Sequence, residues 1–212
     1  MEKQRVSDAV IRRLPRYYRQ LSQLEREGVL RISSGQLSRL MSLTASQIRH
    51  DLNCFGGFGQ QGYGYSVKGL KSAIADILEL GQQKHMIIIG AGNIGQALAC
   101  YEGFPREGFY VHAIFDNNPR LIGKTVGRLQ VSDIQELEGY LAAEKVNIAV
   151  VATPGEFAQQ TADRLIACGV RAIWNFAPID VAAPNNVVVE NVSLSDSLYA
   201  LSYFMNQLDE QA

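Results

Sequence analysis

The run Gly90-Ala91-Gly92-Asn93-Ile94-Gly95 directly follows the apolar segment His85–Ile89 and precedes apolar residues at helical spacing. A strand, a G-x-G-x-x-G turn and a helix in this order are typical of a dinucleotide-binding unit. Gly90 permits the tight turn, Gly92 lets backbone N–H groups approach a pyrophosphate, and Gly95 lets helix and strand pack closely. The helix N-terminus adds roughly half a positive charge for the phosphates. The predicted loop contacts are Gly90, Ala91, Gly92, Asn93, Ile94 and Gly95.

A carboxylate ends the second predicted strand. Asp116 follows Tyr110–Phe115 and lies 21 residues after Gly95. At this place a carboxylate accepts hydrogen bonds from the adenosine ribose and repels a 2′-phosphate, so the sequence predicts NAD⁺/NADH rather than the phosphorylated cofactors. The alternative is that Asp116, next to Asn117-Asn118-Pro119, only opens a turn.

Strand-like and helix-like segments alternate after residue 84, which predicts an α/β fold with a parallel sheet covered on both faces. The predicted strands are His85–Ile89, Tyr110–Phe115, Asn147–Val151, Arg171–Trp174 and Val187–Val189, and the predicted helices are Ile94–Glu102, Ile134–Ala143 and Glu156–Ala167. Thr153-Pro154 and Phe176-Ala177-Pro178 follow two of these strands, at the sheet edge where ligands bind. Ordinary strand-to-loop punctuation is the alternative for both.

The N-terminal part has the pattern of a small helical domain. From Ser7 to Glu27 apolar residues recur on one helix face, and Pro15 indicates either a kink or the start of a second helix. Ser33-x-x-Gln36 and Thr44-x-x-Gln47 each have the pattern of a capping box, so two short helices are expected to begin eleven residues apart. The residues expected to face inward are Val10, Leu14, Tyr17, Leu21, Leu24, Leu37, Leu40, Met41, Ile48, Leu52 and Phe55.

This helix pair resembles a helix-turn-helix, and a glycine-aromatic hairpin over 56–65 resembles the wing of a winged helix. Another amphipathic helix is expected over Leu70–Leu80. Arginine, asparagine and serine on the outward face of the second helix are suited to base edges and phosphates, and a solvated helix face is the alternative. The predicted DNA contacts are Ser33, Ser34, Thr44, Ser46, Gln47, Arg49, His50, Asn53, Gln60, Gln61, Tyr63 and Gly64.

Charge and composition limit the classes of protein further. Residues 1–80 hold 12 Lys+Arg and 7 Asp+Glu (net +5), and the rest hold 8 and 14 (net −6), which gives the total of −1. The N-terminal part is therefore the one suited to a polyanion. No run reaches the ~18 apolar residues of a membrane span, and no apolar signal region follows Met1–Arg5, so a cytoplasmic protein is expected. Scattered cysteines and histidines predict reduced thiols and no metal.

The chain resembles the Rex family of redox-sensing transcriptional repressors over nearly its whole length. The stretches that carry the resemblance are 9–19, 44–49, 51–52, 55–56, 62–65, the Gly90–Gly95 loop, Trp174-Asn175-Phe176-Ala177-Pro178 and Val189-Glu190-Asn191-Val192. The resemblance implies a homodimer whose C-terminal helix is exchanged between subunits. It also implies repression when NADH is scarce and release from operator DNA when NADH binds.

Site residues follow from the same resemblance. The recognition helix would be Thr44–Phe55 and the wing Gly57–Tyr65, while Phe176-Ala177-Pro178 would line the nicotinamide pocket. Arg19 and Tyr101 match residues that relay ligand binding between the family's domains. Three positions depart from the family: His50 stands where Lys is frequent, Gln61 where Arg is frequent, and Ser193 where many members have an Asp that pairs within the relay.

The sequence as a whole predicts a winged helix-turn-helix domain (1–80), a Rossmann-type NAD(H) domain (81–193) and a C-terminal dimerisation helix (194–212). The last is supported by Leu194, Leu198, Leu201, Met205 and Leu208, which have the spacing of a helix-packing seam, although packing on its own domain is the alternative. An NAD-dependent oxidoreductase with an atypical helical domain, or a methyltransferase, would also use such a glycine loop. Neither explains residues 1–80, and the chain offers a dehydrogenase no substrate domain, so no enzymatic activity is expected.

Overall fold

The fold described below is that of a computed structural model, which describes residues 6–55, 59–60 and 64–209. The chain divides into two compact units, Met1–Gln82 and Gln83–Ala212. Each unit buries its own apolar core.

The first unit has the element order of a winged helix. Its described elements are α1 (Asp8–Arg26), β1 (Arg31–Ile32), α2 (Ser34–Met41), α3 (Ala45–Asn53), β2 (Gly59–Gln60), β3 (Gly64–Ser66) and α4 (Val67–Ile77). The three strands form an antiparallel sheet in the order β1-β3-β2. Gly64 has a φ of +69°, and a Cβ there would lie 2.6 Å from the Ile32 carbonyl oxygen, so this crossing of β3 and β1 requires glycine.

For the first unit, one alternative is excluded and two expectations need correction. Pro15 lies inside one continuous α1 rather than at the start of a second helix. Leu40 is 49% exposed, because the core side of the short α2 is formed by Leu37 and Met41, one turn apart. The last helix begins at Val67 instead of Leu70, since the Ser66 hydroxyl caps it by accepting a hydrogen bond from the Gly69 N–H.

The second unit is a Rossmann-type sheet with helices on both faces. Its described elements are β4 (Lys84–Ile89), α5 (Asn93–Ala99), α6 (Gly103–Arg106), β5 (Phe109–Asp116), β6 (Thr125–Val126), β7 (Leu129–Asp133), a 3₁₀ turn (Ile134–Glu136), α7 (Leu137–Ala143), β8 (Ile148–Val151), α8 (Gly155–Ala167), β9 (Ala172–Asn175), β10 (Val188–Asn191) and α9 (Asp196–Asp209). The strand order is β10-β9-β8-β4-β5-β7-β6, and all neighbours are parallel except β6 and β7. The fold class predicted from the sequence is confirmed.

The sheet is larger than the four or five strands expected. The stretch between β5 and α7 folds back as the hairpin β6–β7, which adds two strands to the sheet. The helix expected over Ile134–Ala143 is a 3₁₀ turn followed by α7, because Asp133 caps the turn by accepting from the Gln135 N–H.

The apolar side chains of the final helix, α9, are mostly exposed. Leu198, Leu201, Met205 and Leu208 of α9 are 55–70% exposed, and Leu194, just before the helix, is 60% exposed. The alternative that this seam packs on its own domain is therefore wrong. Across the part of the chain that the structure describes, no helix is both long and apolar enough to cross a membrane.

Candidate functional site

The glycine loop connects β4 to α5 and leaves no room for a side chain at Gly90 or Gly95. Gly90 has a φ of +102°, and a Cβ there would lie 2.5 Å from the Ala152 carbonyl oxygen. A Cβ on Gly95 would overlap the Gly90 carbonyl oxygen, whereas one on Gly92 would meet nothing within 4 Å. Gly90 and Gly95 thus bring strand and helix together, and Gly92 leaves open space beside the backbone.

Asp116 is bonded to this loop. Its Oδ2 accepts a hydrogen bond from the Ala91 N–H at 2.6 Å, and its Oδ1 accepts one from the Asn118 N–H at 2.7 Å. The bond from Asn118 shows that Asp116 also opens a turn, which was the alternative role considered for it. Because a carboxylate has about four acceptor sites, each oxygen can still accept a ribose hydroxyl. The bond to Ala91 was not anticipated from the sequence.

A cavity of about 390 Å³ opens at the carboxyl edge of the sheet beside this loop. It contains five of the predicted contacts, Gly90, Gly92, Asp116, Thr153 and Pro154. The other residues that line it were not predicted as ligand contacts; they are Ile89, Asn117, Asn118, Leu121, Ile134, Ala152, Phe157, Gln160, Thr161 and Arg164. Leu121 and Ile134 were missed because they flank β6 and β7, two strands that were not predicted.

One residue that lines the cavity has a buried polar atom without a partner. The Thr153 hydroxyl oxygen is buried and has no hydrogen-bond partner among the residues that the structure describes. A buried hydroxyl without a partner costs stability, so such groups are usually satisfied by a ligand or an ordered water. The open space at Gly92 and the polar lining residues Asp116, Gln160 and Arg164 suit the cavity to a ligand with hydrogen-bonding groups.

Phe176-Ala177-Pro178 lies at the same sheet edge but does not line this cavity. Ala177 is buried, Pro178 is exposed, and the Phe176 ring packs edge-on against Trp174, with the ring centroids 4.6 Å apart. A Cβ built on Gly155 would lie 3.5 Å from Pro178 Cγ, so the loop after β9 reaches the start of α8. This loop is therefore a neighbour of the cavity.

The outer face of α3 in the first unit has the predicted orientation. Ile48 and Leu52 are buried, Phe55 packs at the edge of the same core, and Ser46, Arg49, His50 and Asn53 are exposed. The Arg49 guanidinium donates a hydrogen bond to the Ser34 hydroxyl at 3.2 Å, which connects two predicted contacts on α2 and α3. Ser33 and Thr44 cap these helices. Gln61 and Tyr63 lie outside the described residues, as does the side chain of Gln60.

A buried carboxylate anchors α3 to α1. Asp51 is fully buried and accepts two hydrogen bonds from the Arg13 guanidinium, at 2.7 and 2.8 Å, and one from the Tyr17 hydroxyl. Burial acts to raise the pKa of Asp51, but the bonds from Arg13, Gln47 and Tyr17 outweigh it and hold the pKa below its usual range. The same bond raises the pKa of Arg13. Asp51 is thus an ionised anchor of α3.

This anchor explains why the second predicted capping box is only half formed. Thr44 accepts a hydrogen bond from the Gln47 N–H as expected, but the Gln47 amide donates to Asp51 at 2.7 Å instead of returning to Thr44. The box at Ser33 and Gln36 is complete. The buried Asp51 carboxylate competes for the Gln47 side chain, whereas no buried carboxylate among the described residues competes for Gln36.

The residues predicted to relay ligand binding have clear surroundings within their own units. Arg19 is exposed on α1, and the 58%-exposed Tyr101 packs edge-on against Phe104. The Ser193 hydroxyl donates a hydrogen bond to Asp196 at 2.7 Å. Ser193, where the family often has an acid, therefore contacts the acid at the start of α9.

Two protein families match this chain, one in each of its two units. Residues 81–179 match the family described as "CoA binding domain", and residues 5–53 match the one described as "Putative DNA-binding protein N-terminus". The class defined by fold and site is a winged-helix unit combined with a Rossmann-type nucleotide-binding unit.

Close relatives give this class a family. The chain is 52% identical to the redox-sensing transcriptional repressor Rex of Thermoanaerobacter pseudethanolicus, over 97% of this chain and 92% of that one. It is 49% identical to the Rex of Clostridium acetobutylicum, over 99% and 98%. The chain belongs to the Rex family of redox-sensing transcriptional repressors, as its resemblance to that family predicted.

Solved structures agree with this assignment. RSP is described as a Rex-family repressor. Its structure in complex with β-NAD⁺ and operator DNA matches with a TM-score of 0.90 and 52% identity, over 97% of this chain and 94% of that one. RSP in complex with β-NADH matches with a TM-score of 0.89 and 49% identity, over 96% of each chain.

Proposed function

We propose that this chain binds operator DNA through α3 and the wing of its first unit, and NADH or NAD⁺ in the cavity of its second unit. DNA binding would repress transcription, and NADH would release the repressor. The observation that carries the proposal is that one chain combines a helix face that exposes Arg49, His50 and Asn53 with a cavity that Asp116 lines beside the glycine loop. Relatives of about 50% identity are named repressors of this kind.

The dinucleotide would be held by groups already oriented in the second unit. Asp116 would accept the adenosine ribose hydroxyls while still holding the Ala91 N–H. The Gly92 backbone would approach the pyrophosphate. Thr153 would donate to an oxygen of the ligand, and Phe176-Ala177-Pro178 would flank the nicotinamide. The bound ligand acts here as an effector, and we assign no catalytic residue.

DNA would be read by the exposed face of α3. Arg49 is suited to a guanine edge and Asn53 to an adenine, while Ser33, Ser34, Thr44, Ser46 and His50 are suited to phosphates. Residues 1–80 form the DNA-binding domain in this proposal, 81–193 the NAD(H) domain and 194–212 the dimerisation helix. NADH would favour a dimer geometry that no longer matches two half-sites. A 10- to 100-fold loss of operator affinity corresponds to roughly 1.4–2.8 kcal/mol of coupling.

The proposal is tested by titrating nucleotides against a protein–operator complex in a gel shift, with an operator selected by the protein from random DNA. NADH is expected to release the DNA at a lower concentration than NAD⁺. Coenzyme A is the control, because part of the chain matches the CoA-binding family. If release requires no less NADH than NAD⁺, or if coenzyme A releases the DNA equally well, the redox-sensor proposal fails.

Asp116→Ala is expected to weaken NADH binding at least tenfold and to narrow the preference for NADH over NADPH, because it removes both the ribose acceptor and the charge that repels a 2′-phosphate. Titration calorimetry with both nucleotides measures this. Asp116→Asn keeps an acceptor for the Ala91 N–H, so it separates loss of charge from loosening of the loop. An unchanged affinity of Asp116→Ala for both nucleotides would remove Asp116 from the site.

We further propose that the active form is a homodimer joined through α9. The apolar side chains exposed along this segment are Leu194, Leu198, Tyr199, Leu201, Tyr203, Phe204, Met205 and Leu208. An exposed apolar surface of this extent is typical of a subunit interface, and the 4-3-4-3 spacing of Leu194, Leu198, Leu201, Met205 and Leu208 suits helix packing. Two copies would also match the two half-sites of an operator.

Leu201→Asp is expected to raise the dimer dissociation constant at least tenfold, because it would bury an unpaired carboxylate in the interface. Sedimentation equilibrium measures this, with Asn206→Asp, off the seam on the same helix, as the control of equal charge. A Leu201→Asp protein that remains dimeric at the concentrations of the unaltered chain would exclude α9 as the interface.

Three further properties belong to this proposal. The chain is a regulator without enzymatic activity, it requires no metal, and it acts in the cytoplasm where operator DNA is accessible. An NAD-dependent oxidoreductase is the alternative. NADH absorbance followed with a panel of alcohols and aldehydes separates the two, since turnover of any of them would favour the enzyme.

A further inference from the structure

Two asparagines join the loop after β9 to the end of β10. Asn175 is fully buried, and its amide donates to the Ile179 carbonyl oxygen at 2.7 Å and to the Asn191 side-chain oxygen at 2.9 Å. Its own side-chain oxygen accepts from the Ala177 N–H at 3.0 Å. The Asn191 oxygen also accepts from the Val181 N–H at 3.2 Å. We call these two residues and their four bonds the asparagine clasp.

The clasp determines the path of residues 176–181. Three backbone groups of this segment, at Ala177, Ile179 and Val181, are bonded to the two side chains. The Asn175 side chain makes its bonds away from solvent, and a buried polar group that loses its hydrogen bond costs stability. The path of residues 177–181 is therefore held by hydrogen bonds of two side-chain amides.

We propose that Asn175 and Asn191 are positioning residues for the nicotinamide half of the ligand. This inference rests on the proposed function, in which Phe176-Ala177-Pro178 flanks the nicotinamide. Neither asparagine lines the cavity beside the glycine loop. Loss of the clasp should therefore affect the nicotinamide half and spare the adenosine half of the site.

The clasp also ties the loop to the segment that leads into α9. Asn191 is the last residue of β10, and α9 begins five residues later at Asp196. The Val192 N–H donates to the Asn175 carbonyl oxygen at 2.8 Å, which continues the connection beyond the strand. A ligand that stiffens the loop would thus also restrain the segment that leads into the proposed dimerisation helix.

The test compares two ligands that differ only in the nicotinamide. Asn191→Ala is expected to bind NADH about tenfold more weakly, which is the effect of one or two lost hydrogen bonds, and to bind ADP-ribose unchanged. Asn191→Asp keeps the acceptor oxygen that the clasp uses and should retain NADH binding. Asn186→Ala, an exposed asparagine in the preceding loop, is the matched control.

Trp174, the one tryptophan in the sequence, is a built-in reporter for these titrations, because its ring lies 4.6 Å from that of Phe176. Equal NADH affinity of Asn191→Ala and the unaltered chain would overturn the positioning role while leaving the proposed function intact. Equal loss of NADH and ADP-ribose would also overturn it. If the unaltered chain binds no NADH, the proposed function itself fails. Should Asn191→Ala not fold, Asn191→Ser, whose hydroxyl cannot reach Asn175, gives the same comparison.

Discussion

Arg13→Ala is expected to destabilise the first unit by about 3 kcal/mol and to abolish operator binding. Arg13 provides two of the bonds to the fully buried Asp51, and removing one partner of a buried ion pair leaves an uncompensated charge, which typically costs ~3–5 kcal/mol. The lower value applies because the Arg13 side chain is 29% exposed. Urea unfolding of the full chain measures the change in stability, and an operator gel shift measures the loss of DNA binding.

Two variants separate anchoring from direct DNA contact. Arg16→Ala removes the same charge from an exposed position on α1 and should leave the unfolding free energy unchanged. Arg49→Ala removes a proposed base contact, so it should lose operator binding without loss of stability. If Arg13→Ala unfolds at the same urea concentration as the unaltered chain, Asp51 does not anchor α3.

The effect of Arg13→Ala also depends on pH in a defined direction. The pKa of Asp51 lies below its ordinary value of 3.8 in the folded chain, so ionised Asp51 contributes stability above that value. This contribution is lost as the pH falls through the folded-state pKa. Without Arg13, burial would instead raise the pKa of Asp51. The difference in stability between the two proteins should therefore shrink as the pH falls, beginning at the raised pKa of Asp51 in Arg13→Ala and ending below the lowered pKa of Asp51 in the unaltered chain.

Local signals were predictable from the sequence because they involve residues close together in the chain. The Ser33 capping box joins residues three apart, and the glycine loop is a continuous hexapeptide between a strand and a helix. Asp51 has no such signal. Its partners Arg13 and Tyr17 are 38 and 34 residues away, and in helix α3 it reads as one more polar position. The carboxylate that diverts Gln47 could be found only from the folded chain.

The sheet was underestimated for a similar reason. β6 has only two residues and β7 only five, so the alternation of Leu129 and Val131 with polar residues is too short to stand out as a strand. Two residues that line the cavity, Leu121 and Ile134, flank this hairpin in the sequence. The glycine loop and Asp116 were therefore predictable, whereas these two lining residues were not.

Gly92→Ala is expected to produce a repressor that binds operator DNA but is no longer released by NADH. A Cβ at Gly92 would meet no protein atom within 4 Å, so the substitution should leave the fold undisturbed. The methyl group would instead occupy the space through which the backbone approaches the pyrophosphate. NADH affinity is expected to fall at least 100-fold, measured by titration calorimetry, while the gel shift without nucleotide is unchanged.

Gly95→Ala supplies the contrast, because its Cβ would overlap the backbone carbonyl of Gly90 and lie 3.3 Å from Ile88 Cγ2. Since neither neighbour is the end of a flexible side chain, α5 must move away from β4, at an expected cost of about 1–3 kcal/mol. Gly139→Ala, in open space on α7, should lose neither stability nor NADH. Gly92→Ala protein that NADH still releases from DNA would mean that the ligand lies elsewhere in the second unit. Loss of stability in Gly92→Ala equal to that in Gly95→Ala would mean that Gly92 serves packing and not the ligand.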